Sequence, residues 1–172
     1  MELKRYPNIR TGETLVQPRP IDKEVSYDKN VLIAEFDPKG IITFTNKNFR
    51  LMCGYTKEEI EGCHHSILFH PDIPKSLLDH IYQTIESGNY WRGYIKNLRK
   101  DGRHFWSSAW FKPQYDGNGN ITGYIVSHKA PDPVVVHKIE TSLKNCKELT
   151  PEHFNAFAIP SLEVDGDISV AS

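Results

Sequence analysis

Apolar and polar positions along this chain follow two periods, and the switches between them mark out its elements. Residues 31–37 (Val-Leu-Ile-Ala-Glu-Phe-Asp) and 41–45 (Ile-Ile-Thr-Phe-Thr) are short apolar runs that predict strands. Asp37-Pro-Lys-Gly40 between them has turn composition. Residues 47–55 read as a short helix with Phe49 and Met52 three apart and Gly54 as its stop. Thr56-Lys-Glu-Glu59 has the spacing of a capping box and opens a second short helix that Gly62 ends. Helical spacing returns over residues 76–87, where Leu77, Leu78, Ile81 and Ile85 share a face and Gly88 follows. Three strand-like runs complete the set, at 91–98, 104–111 and 121–128. Lys100-Asp-Gly-Arg103 and Asp116-Gly-Asn-Gly119 join them, and Asp-Gly predicts type I′ hairpin turns. Two strands, helices, then three strands predict an α+β domain over residues 28–130 with one antiparallel sheet.

The flanks read differently. Residues 1–27 carry three prolines, mixed charge and no periodicity, which predicts an irregular arm. Residues 131–149 open on Pro-Asp-Pro and continue as an amphipathic helix with Val135, Ile139, Leu143 and Cys146 on one stripe. Residues 150–172 predict a flexible tail. In the middle, His65-Ser-Ile-Leu-Phe-His-Pro-Asp-Ile-Pro-Lys75 can continue neither a helix nor a central strand, because each proline removes a donor and restrains its predecessor. It predicts a polar loop between apolar elements, where function tends to sit.

Composition narrows the function classes. A net charge of −1 across 172 residues argues against general nucleic-acid binding, which needs many phosphate-neutralising cations. No apolar run approaches the roughly 20 residues of a membrane span, and the first residues lack a signal-peptide core. The three cysteines are unpatterned and predict reduced thiols, hence a cytoplasmic protein. His64, His65 and His70 cluster near Cys63 and Asp72, but their spacing fits no familiar zinc pattern, so no metal site is expected. Gly117 and Gly119 join two strands instead of opening a helix, which excludes a dinucleotide phosphate loop. Lys96, Arg99, Lys100 and Arg103 predict a solvated strand edge. No nucleophile–base pair is legible, so no enzyme is expected. Trp106 and Trp110 lie four apart on one face of a strand. Core packing explains the tryptophans, yet a planar cofactor would want the same flat walls plus polar groups such as Asn46, His70 or Asn97.

The order of elements, with Asn46-Lys-Asn-Phe49 leading to Cys53-Gly-Tyr-Thr56, resembles a PAS domain: a five-stranded antiparallel sheet with short helices packed on one face. His70-Pro-Asp-Ile-Pro-Lys75, Tyr90-Trp-Arg-Gly93, Lys96-Asn-Leu-Arg-Lys-Asp-Gly102 and His104-Phe-Trp106 narrow the likeness to the sensor domain of bacterial aerotaxis receptors (Aer), over residues 28–130. The resemblance implies a noncovalently bound FAD whose redox state reports energy or oxygen status to the chemotaxis machinery. By position it implies cofactor-binding roles for Asn46, His65, His70, Asp72, Trp91 and Asn97, with Trp91 beside the ring system and Asn97 hydrogen-bonding it. The family commonly has arginine immediately before His-Pro-Asp, and this chain has Phe69. An arginine neutralises a pyrophosphate bidentately and a phenylalanine does not. Lys75 or Arg92 takes that task, or the loop binds flavin differently, or not at all.

Aerotaxis receptors carry a membrane anchor and a signalling domain that this sequence does not contain. It therefore resembles the detached half of a bipartite energy-taxis receptor, peripheral to the inner membrane through a membrane-bound, methyl-accepting chemotaxis-type receptor. Otherwise the helix at 131–149 packs on its own domain or forms a homodimer. The competing function is a cofactor-free or haem-binding PAS interaction module. A blue-light sensor of the LOV type is not expected, because His65 occupies roughly the place of the cysteine that attacks the ring.

Overall fold

The structure of the protein, a computed structural model, describes residues 2–27 and 29–145. The strands expected from alternating or apolar runs form one five-stranded sheet. These are β3 (Leu32–Phe36), β4 (Ile42–Thr45), β5 (Trp91–Leu98), β6 (His104–Tyr115) and β7 (Ile121–Lys129), in the spatial order β4-β3-β7-β6-β5, with every pairing antiparallel. Register fixes which face each side chain takes. Trp91, Asn97, Phe105, Ser107, Phe111, Val126, His128, Ala34 and Phe36 fall on one face, and Arg92, Lys96, Trp106, Trp110 and Ser127 on the other.

Helices α1 (Lys47–Cys53), α2 (Lys57–Ile60) and α3 (Lys75–Glu86) follow β4 and precede β5, with a 3-10 turn at His65–Leu68. Asn46 caps α1 by accepting from the Phe49 amide at 2.9 Å, and Gly54 ends it in the left-handed region. Thr56 and Glu59 form the expected capping box. Phe49, Met52, Ile60, Ile67, Leu77, Ile81 and Ile85 bury themselves with the inner sheet face in one core. Removing that apolar area from water is the main stabilising contribution.

Two expectations are corrected. The arm over residues 1–27 is not irregular throughout, because β1 (Arg5–Pro7) pairs antiparallel with β2 (Thr14–Val16). Strands of three residues are too short to display a period. The hairpin is held instead by Asn8, whose side-chain nitrogen lies 3.0–3.1 Å from the carbonyls of Glu58, Glu59 and Glu61. Arg10 adds a 3.1 Å ion pair to the buried Glu61, which in turn accepts from the Thr45 amide and hydroxyl. A side chain on Gly62 would collide with Asn8, so this docking needs glycine there. The second correction concerns the hairpins. A type I′ turn needs two positive-φ residues, but each of these two turns has a single one, Gly102 (86°) or Gly119 (81°), and among the described residues no non-glycine residue adopts that region. Asp116 explains the alternative geometry: its carboxylate accepts from the Asn118 and Asn120 amides and holds the wider turn closed.

Strand β6 also runs past its expected end, through Pro113. β5 begins at Trp91 opposite Phe111, so residues 112–115 lie at an open edge where proline is tolerated. Helix α4 (Pro133–Asn145) stands apart from the others. It meets the outer sheet face, where the Trp106 indole donates to Glu140 at 2.9 Å. Residues 131–132 precede the helix, and residues 146–149 of the segment expected over 131–149, with the tail over 150–172, lie outside the described residues.

Candidate functional site

Alternation along β5, β6 and β7 sends polar side chains into the interior at three adjacent inward positions. Asn97 on β5 donates from Nδ2 to Ser107 Oγ on β6 at 2.9 Å and to the carbonyls of Ile95 and Phe105. Ser107 Oγ lies 2.7 Å from His128 Nδ1 on β7. The direction of the Ser107–His128 bond follows the imidazole tautomer, and the Nε2-protonated form gives a single line of donors. Ser107 accepts from Asn97 and keeps its own proton for His128 Nδ1, which leaves the proton of the neutral imidazole on Nε2. Every donor of the Asn97 amide is used. Its Oδ1 accepts no hydrogen bond among the described residues.

This row borders a small cavity of about 20 Å³ among buried side chains, walled by Phe36, Phe49, Leu68, Phe69 and Phe111 and carrying Cys53, His65, Asn97 and His128. Every titratable group there is neutral near pH 7. Burial pushes the Cys53 thiol up to about 12. Burial also lowers His65 to about 3, with neighbouring His64 adding to the effect, and lowers His128 to about 4. His65 is locked in place: it stacks on Phe36 at 4.2 Å, meets Phe69 edge-on, and its Nε2 lies 3.1 Å from the Tyr82 hydroxyl.

Of the six residues singled out from sequence, the cavity brings together His65 and Asn97. Asn46 is engaged by backbone: its Oδ1 accepts from the Phe49 and Ile33 amides and its Nδ2 donates to Val31. Trp91 is buried on the inner face one layer away, edge-on to Phe111 at 5.9 Å. His70 and Asp72 sit at the β5 edge. The His70 amide donates to Lys96 O, His70 Nδ1 accepts from the Asp72 amide at 3.0 Å, and Lys96 donates to Asp72 at 2.8 Å. Burial, then the Lys96 charge, lowers His70 to about 4, against an opposing pull from Asp72. Lys96 keeps the Asp72 carboxyl below its usual range despite partial burial.

That edge opens onto a recess of about 510 Å³ between the arm, the sheet rim and α4, lined by His70, Asp72, Lys96, His104 and Glu140 among others. The recess is larger but open, and its charges are mixed. The small buried cavity instead combines flat aromatic walls with a few polar groups, the chemistry a planar ligand needs. The basic run after β5 is paired as well as solvated: Arg99 donates to Met52 O, Lys100 to Glu59, and Arg103 to Asp101. Arg92 lies over the Trp110 ring on the outer face, so it cannot serve the interior.

Ser107 and His128 were not anticipated from sequence. The signal was present: both are polar residues in phase with inward-facing Phe105, Ala109 and Phe111, or with Val126. Phe69 belongs to the site as wall, its backbone bridged to Asn97. The donor set and flat walls fit the ring of a flavin, but the present volume holds about one water. A ring would require the cavity to enlarge.

A family model described as the PAS fold matches residues 42–128. The aerotaxis receptor of Escherichia coli (strain K12) is 36% identical over 98 residues, 57% of this chain and 19% of that protein. The biofilm dispersion protein BdlA of Pseudomonas aeruginosa is 26% identical over 148 residues, 86% of this chain and 34% of that protein. A solved light-oxygen-voltage domain, from a study of a flavin analogue, superposes with a TM-score of 0.56 at 22% identity, over 68% of this chain and 87% of that one. That last likeness concerns the fold alone. The matched stretches amount to 34% or less of these two curated relatives.

Proposed function

This chain belongs to the PAS-fold family, and from that premise we propose that it is a flavin-binding redox sensor, with FAD as its ligand, that reports energy or oxygen status to a chemotaxis-type receptor. The observation that carries the reading is the inward row Asn97–Ser107–His128 beside aromatic walls. It offers a ring edge both a donor and an acceptor, in a setting that excludes water. When bound, a flavin would supply reversible electron uptake. The chain's own part is to hold the ring against Phe36 and Phe111 and to present Asn97 Oδ1 and His128 Nε2 to its polar edge. A change in hydrogen bonding at that edge would bias the sheet and anything docked on it. Similarity to the aerotaxis receptor supports the same reading. Among the described residues no helix is long and apolar enough to cross a membrane, and in this proposal a membrane-bound receptor supplies the contact with the membrane.

The test is an absorption spectrum of the purified chain before and after dithionite, with chromatography of anything released on denaturation. A bleachable flavin spectrum is expected. A colourless protein that takes up no flavin on reconstitution sinks the proposal. The cavity's small volume favours a second reading, a cofactor-free interaction module, and that same colourless outcome would select it. A haem would instead give a Soret band; His65 and His128 are the cavity's imidazoles, and each already has a hydrogen-bond partner.

A further inference from the structure

Helix α4 meets the outer sheet face at Trp106, and its last turn reaches the recess beside Lys96 and His104. Four residues further along β6, about 13 Å away, the half-buried Trp110 carries two cations instead. Arg92 Cζ lies 4.9 Å and Lys112 Nζ 3.6 Å from its ring centroid, and the exposed Tyr90 stands edge-on at 6.2 Å. Neither cation has a carboxylate partner among the described residues. Glu35, on the same face of β3, is engaged by Gln114, and Glu140 by Trp106. The Trp110 Nε1 is itself buried without an acceptor among the described residues. Two like charges held at one ring repel each other, and an anion set beside both relieves that repulsion. A two-fold pairing of this face with itself would bring two cation pairs together, so a second copy of the face is a poor cover.

The sequence supplies the complement. Residues 150–172 contain Glu152, Glu163, Asp165 and Asp167 and neither lysine nor arginine. Three of those acids fall within Leu162-Glu-Val-Asp-Gly-Asp-Ile168, among apolar residues that suit the Tyr90 and Trp110 rings. Residues 146–161 join this stretch to α4, a linker that extends to about 50 Å, well beyond the length of β6 between Trp106 and Trp110. We propose that the outer face at Trp110 is a docking surface for an acidic segment, and that its occupant is residues 162–168 of the same chain, with their carboxylates on Arg92 and Lys112. Each such contact is weak and screened by salt, but the tether keeps the segment at a high effective concentration. An acidic partner reaches this face only by displacing it. The proposal is independent of what the interior holds.

The experiment is zero-length carbodiimide coupling, which joins a carboxylate to a lysine amine, on an equal mixture of unlabelled and nitrogen-15-labelled full chain. Cross-linked peptides are identified by mass spectrometry. Lys112 should couple to Glu163, Asp165 or Asp167 in peptides of uniform label, about fivefold or more above Lys138 and Lys144, which are exposed and nearer in sequence. About 1 M salt should suppress that coupling severalfold. Peptides of mixed label would assign the segment to a second copy and overturn the proposal, as would coupling with no preference for Lys112 or none at all. Iodide quenching gives a second reading. Trp91 and Trp106 are buried, so Trp110 is the indole an anion reaches. Glu163→Gln with Asp165→Asn and Asp167→Asn leaves the described residues untouched and should raise the iodide quenching constant about twofold or more. An unchanged constant overturns the proposal.

Discussion

Trp106 and Ser107 are neighbours in β6, yet they face opposite sides of one sheet and meet opposite kinds of chemistry. The inner face is neutral and closed. Its polar groups, Asn97, Ser107 and His128, are linked by hydrogen bonds in a row across three strands. The outer face is charged and partly open. Arg92 and Lys112 lie over the Trp110 ring, at 4.9 and 3.6 Å from its centroid, and Trp106 reaches Glu140 on α4. The difference teaches where specificity and coupling reside. A buried uncharged row penalises any ligand that leaves a partner unsatisfied. An open charged face gains little from each contact and tolerates change.

Acid should expose this contrast most strongly. Folding holds His128 neutral down to about 4 and His65 down to about 3, whereas unfolded histidines protonate near pH 6.5. Between those limits the unfolded chain binds the extra protons, so stability is complete above about pH 6.5 and falls as pH drops toward about 4. Each such histidine contributes a slope of up to about 1.4 kcal/mol per pH unit. At the β5 edge His70, also lowered to about 4, adds to the same window, whereas the Asp72 and Asp101 carboxyls, held low by their cationic neighbours, lose their contribution only at more acidic pH. Thermal melts between pH 7 and 5 should therefore fall steeply for the wild type and less steeply for His128→Gln. Parallel curves would place the proton linkage outside the inner face.

Adjacent substitutions sharpen the comparison. Ser107→Ala leaves His128 Nδ1 without its partner inside the sheet and should cost about 1–3 kcal/mol in urea unfolding. Glu140→Ala removes the acceptor of the Trp106 indole next door and should cost about 1 kcal/mol, with a shift in tryptophan emission. If Glu140→Ala were the more damaging, the docking of α4, and not the inner row, would dominate the stability of this strand.

Much of this organisation was legible from sequence because it is periodic. Leu77, Ile81 and Ile85 gave α3, alternation gave the β6 and β7 faces, and Thr56 with Glu59 gave the start of α2. Trp106 and Trp110 could be put on one face by their spacing, but spacing does not say which face is buried under the helices. The site was less legible for the same reason. Asn97 and His65 stood out, whereas Ser107 and His128 acquire meaning only when β6 and β7 pair and bring two inward polar residues within 2.7 Å. The β1–β2 hairpin was hidden altogether, because Asn8 docks it by bonds to carbonyls and a backbone acceptor leaves no mark on residue type.

The smallest effect belongs to the outer face. Arg92 and Lys112 have the Trp110 ring as a common partner, and a cation–aromatic contact at an exposed site contributes about 0.5–1 kcal/mol. The two share one ring and one solvent-facing environment, so their contributions should not add in full. Arg92→Ala with Lys112→Ala is therefore expected to lower stability by about 1 kcal/mol or less, with flavin binding unchanged, because neither side chain reaches the interior. Urea unfolding followed by tryptophan fluorescence measures the first quantity and a flavin titration the second. A double variant that folds but loses flavin affinity tenfold would mean that charge on the outer face is felt across the sheet, and the separation of the two faces would fail at the point where it is most exposed.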